Sequence, residues 1–85
     1  NKGVLQMLVI TRNDFHYNEG DFDVDPVMVF KHDENIHIQV CDYAEEIGQK
    51  YNVVQETNSG FNFYPQKTLG AAIRKVAYLH LGGNC

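Results

Sequence analysis

The sequence predicts an α+β fold: a single domain over residues 1–85, with an antiparallel sheet of about five strands and two helices in the order β-β-β-α-β-β-α. Three observations carry this reading. Two pairs of apolar runs each flank a cluster of turn-forming residues, as β-hairpins do. A third stretch, near the end of the chain, repeats apolar residues at the spacing of one helix face.

Taken in order, Val4–Thr11 is apolar on both strand parities, which predicts a strand covered on two faces. Asn13–Gly20 reads as a polar loop. Asp21–Asp25 then alternates acid and apolar strictly, the pattern of a half-buried edge strand, with Phe22 and Val24 inward and three aspartates outward. Pro26 ends or kinks that run.

Val27–Phe30 and Ile36–Cys41 flank His32-Asp33-Glu34-Asn35. A three-residue loop with Asn35 in the left-handed region places Met28 and Phe30 on the face of Ile36, Ile38 and Val40, because Asn tolerates positive φ and Glu does not. A two-residue turn slips the register by one and places Val27 and Val29 there instead. Either way an apolar pair remains on the second face, beside His37, Gln39 and Cys41, and needs a cover.

Asp42 and Glu45 have the spacing of a capping box, and Ala44, Ile47 and Tyr51 share one face of the short helix expected after them. Val53–Thr57 and Phe61–Tyr64 flank Asn58-Ser59-Gly60, a second hairpin closed by Pro65. Thr68–Leu81 is the strongest helix pattern: Leu69, Ala72, Ile73, Val76 and His80 form the stripe, and Gly82-Gly83 the stop.

Charge is segregated. All eleven acids lie at or before Glu56, giving that part −7 against Lys2, Arg12, Lys31 and Lys50, while Lys67, Arg74 and Lys75 leave the remainder at +3. Such a dipolar surface orients partners even at a net charge of −4. The apolar stretch Met7–Ile10 is far too short to span a bilayer, no signal-peptide pattern is present, and Cys41 with Cys85 makes no disulfide framework, so a cytoplasmic protein is expected.

No constellation points to catalysis. Cys41 and His37, four residues apart on one strand, stand ~13 Å apart, beyond proton transfer. Asp21, Asp23 and Asp25 match the first ligands of a calcium loop, but Pro26 replaces its glycine and His32 its bidentate glutamate. A zinc or copper site needs three or four convergent ligands, and two histidines, His32 and His37, with the Cys41 thiol are too few unless Asp33 or His16 joins, so no metal and no cofactor is expected.

The acidic segment Asp14, Glu19, Asp21, Asp23 and Asp25, joined by His37 and Gln39 on the second face of the first hairpin, is the expected partner-binding surface. The expected function is a small acidic protein-binding module, an inhibitor or regulator of a nucleic-acid-processing protein of the mobile-element type, acting by surface occlusion on a basic partner. The alternatives are a nucleic-acid-binding regulator using Lys67, Arg74 and Lys75 with Phe61, Phe63, Tyr64 and Tyr78 as a stacking platform, and a structural homodimer. Core packing is the plainer expectation for Phe61 and Phe63.

Overall fold

The computed structural model describes residues 10–82. Five strands form one antiparallel meander: β1 (Phe15–Asn18), β2 (Val27–Phe30), β3 (Ile36–Val40), β4 (Tyr51–Thr57) and β5 (Gly60–Gln66), in spatial order β1-β2-β3-β4-β5. Among the described residues one α-helix, α1 (Leu69–His80), lies over β3, β4 and β5. The fold is thus α+β. The residues of the expected first strand up to Val9 lie outside the described ones, and its described end, Ile10-Thr11, is not in a strand.

The sheet begins later than expected. Phe15–Asn18, expected as loop, is β1, aligned on β2 by Phe15 opposite Phe30 and Tyr17 opposite Met28. Thr11 opens a 3₁₀ turn, Arg12–Asp14, with its side chain on the N–H of Asn13 while the Asp14 carboxylate takes the Thr11 N–H.

Asp21–Asp25 is not an edge strand. Asp21 and Val24 exchange backbone hydrogen bonds of 2.9 and 3.2 Å, folding Asp-Phe-Asp-Val into a tight turn with Phe22 and Asp23 at its tip. The residues on either side explain the departure. Gly20 sits at φ +83°, where a Cβ would strike the Val24 carbonyl, and Pro26 has no N–H for a ladder. Phe22 and Val24 consequently point out: they are 97% and 58% exposed.

The β2–β3 hairpin has the expected face. Met28 opposes Ile38, and Met28, Phe30, Ile36 and Ile38 are all buried. Its register differs by two residues, because the loop is Lys31–Asn35 and Asn35 is not left-handed. The Asp33 carboxylate takes the Asn35 N–H instead, which stabilises the turn without positive φ.

Asp42–Ile47 forms 3₁₀ turns in place of the expected helix. Cys41 stands at its N-cap with no capping side chain, and Gly48, left-handed at φ +74°, stops it after six residues, too few to propagate an α-helix. Tyr51, expected on that helix, opens β4, and Ile47 is exposed. Pro65 does not close the second hairpin but lies inside β5, where the sheet ends and no neighbour needs its N–H.

Thr68 caps α1, its hydroxyl accepting from the Ala71 N–H. Ala72, Val76, Ala77 and Leu79 are buried, with Leu69 and Ile73 packed at the margin. Leu79, absent from the expected stripe, takes the inward place and His80 the flank. The core lies between α1 and one face of the sheet: Phe15, Met28, Phe30, Ile36, Ile38 and Val53 meet Ala72, Val76 and Leu79. Among the described residues no helix is long and apolar enough to cross a membrane.

Candidate functional site

Among the described residues no element packs on the second face of the sheet, although Val54 there is buried at 4% exposure. By strand register, Val27 and Val29 of β2, His37 and Gln39 of β3, Val54 of β4 and Phe61 and Phe63 of β5 project away from α1. The apolar pair left beside His37 and Gln39 is therefore Val27 and Val29, and no element of the described chain covers it. Phe61 and Phe63, expected in the core, are 57% and 58% exposed and stack at 6.4 Å. Parity alone does not tell which face a helix covers; Tyr64, one residue on, is the aromatic that joins the core side.

The bare face is concave. A hollow of about 270 Å³ is lined by Val24, Asp25, Val27, His37, Gln39, Val54, Phe61 and Phe63. Of the residues expected to bind a partner, Asp25, His37 and Gln39 converge here. Asp25 is positioned by two donors, Gln39 Nε2 at 3.2 Å and the Tyr43 hydroxyl at 3.4 Å. The Tyr43 hydroxyl is pushed up from its ordinary pKa by hydrogen bonding to Cys41 and by the nearby Asp25 charge. His37 is half-buried, and loss of water pushes its imidazole down, so it is neutral at neutral pH.

Glu19, Asp21 and Asp23 are exposed on the β1–β2 loop, whose Val24 and Asp25 line the hollow. They do not share a strand face. Asp21 turns its carboxylate back to the Phe22 N–H at 2.7 Å, and Asp23 sits at the tip with Phe22. Asp14 is apart from this group. Its carboxyl is held below the ordinary range by the Thr11 N–H and by His32, whose Nε2 lies 2.9 Å away.

The cations lie elsewhere. Lys75 Nζ stands 5.1 Å from the Tyr64 ring centre and 5.2 Å from that of Tyr78, on the helix side. Arg74 borders a second hollow with Ile10, Ile73, Ala77 and Tyr78, and Lys67 is exposed before α1. Phe61 and Phe63 are thus across the sheet from Arg74 and Lys75. Among the described residues, no ion pair joins the acidic loop to Lys67, Arg74 or Lys75; the pairs formed are Asp14–His32, Asp42 and Glu45 with Lys50, and Asp33–His80.

Nor do the described residues hold three or more His, Cys, Asp or Glu side chains arranged for a metal ion. His32 turns its ring edge-on to Phe30 on the core side, while His37 faces the hollow. Sequence reasoning missed Val24, Val54, Phe61 and Phe63 as one surface, and Phe22 as exposed at the tip of a turn. The available signal was Asp-Phe-Asp bounded by Gly20 and Pro26, a turn signature overridden by its strand-like alternation. No protein-family model, curated protein or solved structure matches the chain.

Proposed function

We propose that the chain is a small protein-binding module that docks the bare face of its sheet, with the Asp21–Val24 turn, on a partner whose surface carries an apolar side chain flanked by Lys or Arg. One observation carries the reading: an apolar hollow is lined by Val24 and Asp25, the end of an acidic loop that also carries a fully exposed phenylalanine. Interfaces gather apolar anchors at the centre with charge at the rim, and aromatic side chains dominate their energetics. Asp25 at the hollow, with Glu19, Asp21 and Asp23 exposed on the same loop, supplies charge of one sign, which selects a basic counterpart and speeds its approach.

A basic surface studded with apolar groups is what nucleic-acid-processing proteins turn toward a phosphate backbone. Occupying it excludes the nucleic acid, and this gives an inhibitor or regulator that acts by surface occlusion and needs no catalytic group.

The test uses the isotopically labelled 85-residue chain and two peptides, one with leucine flanked by Lys and Arg, the other with leucine flanked by Glu. The basic peptide is expected to shift the amide resonances of Val27, His37, Val54 and Phe63 and to bind less tightly as salt rises. Equal binding of both peptides, or shifts confined to α1, would overturn the reading. Single-stranded oligonucleotide binding through Lys67, Arg74 and Lys75 is the outcome that favours the nucleic-acid alternative.

A further inference from the structure

The free edge of β5 has the chemistry of a seam. Gly60-Phe61-Asn62-Phe63-Tyr64-Pro65-Gln66 carries no charge over seven residues and, among the described residues, forms the outer edge of the sheet. Edge strands that stay unpaired are ordinarily short or blunted by charge and proline, as such an edge otherwise templates another strand. The opposite edge, β1, is four residues long. In β5 only Pro65, near one end, offers any such protection.

The direction of the edge groups follows from the register. Glu56 gives its N–H to the Asn35 carbonyl at 2.8 Å, toward the β3 side, and Glu56 stands opposite Phe61. In an antiparallel ladder the partner of a residue turned away is also turned away, so Phe61, and with it Phe63 and Pro65, directs its backbone groups to the free edge. Pro65 fits this alternation, since its missing N–H falls where no ladder bond is made. Two donors, Phe61 and Phe63, and their carbonyls remain to be matched.

We propose that a second copy of this chain pairs there, β5 against β5 antiparallel about a two-fold axis at Asn62. That register sets Phe61 opposite Phe63 of the other copy, so the two strands exchange four backbone hydrogen bonds and use the outward N–H groups of Phe61 and Phe63 in each β5. A two-fold contact requires a self-complementary patch, and an uncharged strand with donors at 61 and 63 meets that requirement despite a net charge of −4 per chain. The four phenylalanines then form one row across the bare faces. The helices clear one another: with α1 over β3, β4 and β5, three strand spacings of ~4.8 Å separate the helix axes by ~14 Å, against 8–10 Å for packed helices. The dimer sets two hollows side by side on one continuous sheet, but it stands or falls independently of what those hollows bind.

Asn62 tests the seam without touching the bare face, because it projects to the helix side and is exposed. At the axis its Cα lies ~4.5 Å from that of its copy, within disulfide reach. With Cys85 replaced by Ser throughout, Asn62→Cys is expected to cross-link under mild oxidation, while Gln49→Cys, exposed and remote, is not. Sedimentation of the full chain is expected to give a dimer that dissociates on dilution and tightens with salt. Asn62→Asp is expected to weaken it at least tenfold by facing two carboxylates across the axis, with peptide binding unchanged. A chain that sediments as a monomer at every concentration, or a dimer indifferent to Asn62→Asp, would sink the seam and leave the docking face standing.

Discussion

Gln39 Nε2 donates to Asp25 Oδ2 across 3.2 Å, which ties the end of the acidic loop to the middle strand of the sheet. The same oxygen accepts from Tyr43, so three separate segments meet on one carboxylate. Asp25 therefore sets the position of the loop as well as contributing charge. Gln39→Ala is expected to lower stability by only about 1 kcal/mol, the scale of one partly exposed hydrogen bond. Amide exchange at Asp21 and Val24 should quicken well beyond that of β4. If loop exchange is unaltered, the tie does not hold the loop.

Phe22 has almost no contact to lose, being 97% exposed. Phe22→Ala should melt within about 2 °C of the parent, where ~1 kcal/mol would shift a domain of this size by ~4–8 °C. Against a basic, leucine-bearing peptide it should weaken binding at least about tenfold, as loss of an aromatic anchor does. Unchanged affinity would remove the Asp21–Val24 turn from the docking face.

Val76 is wholly buried between α1 and the sheet. Val76→Ala removes two methyl groups and leaves a void, an expected loss of roughly 1–3 kcal/mol. In a domain this small that is a large share of the total, and the thermal midpoint should fall by ~4–8 °C per kcal/mol. Thermal unfolding followed by circular dichroism measures it.

His37 gives the stability a pH dependence of known sign. Its imidazole is pushed below the ordinary value of 6.5 by burial, so the unfolded chain takes up the proton first as pH falls. Stability from this group is complete above about pH 6.5 and declines below it, until the folded form also protonates. His37→Gln should flatten that part of the profile. A parent whose stability is level from pH 7 to about pH 5, with the variant parallel to it, would contradict the assignment.

Both hairpins and the last helix were legible because their signals are local. Met28, Phe30, Ile36 and Ile38 alternate within one hairpin, and Ala72 and Val76 repeat within one helix, so no distant residue is needed to place them. β1 was not, since Phe15-His16-Tyr17-Asn18 becomes a strand only by aligning with Val27–Phe30. The Asp21–Asp25 alternation misled for the converse reason: period two describes a strand only if the chain can extend there, and Gly20 and Pro26 prevent it. Phe61 and Phe63 depended on the least local fact of all, the side of the sheet on which α1 settles. Of the docking surface, the acids, His37 and Gln39 could be named from sequence, while the apolar members could not.

Among the described residues every strand of the meander pairs only with its neighbours in sequence, and no connection crosses the sheet. Chain segments therefore need not search for distant mates, and the entropy lost in closing each loop stays small. A hairpin can form, then extend one strand at a time toward either edge, with α1 arriving last on a surface already laid out. Folding should be rapid for a molecule so rich in sheet. Substitutions in α1 such as Val76→Ala should then act mainly by hastening unfolding, with the refolding rate nearly untouched.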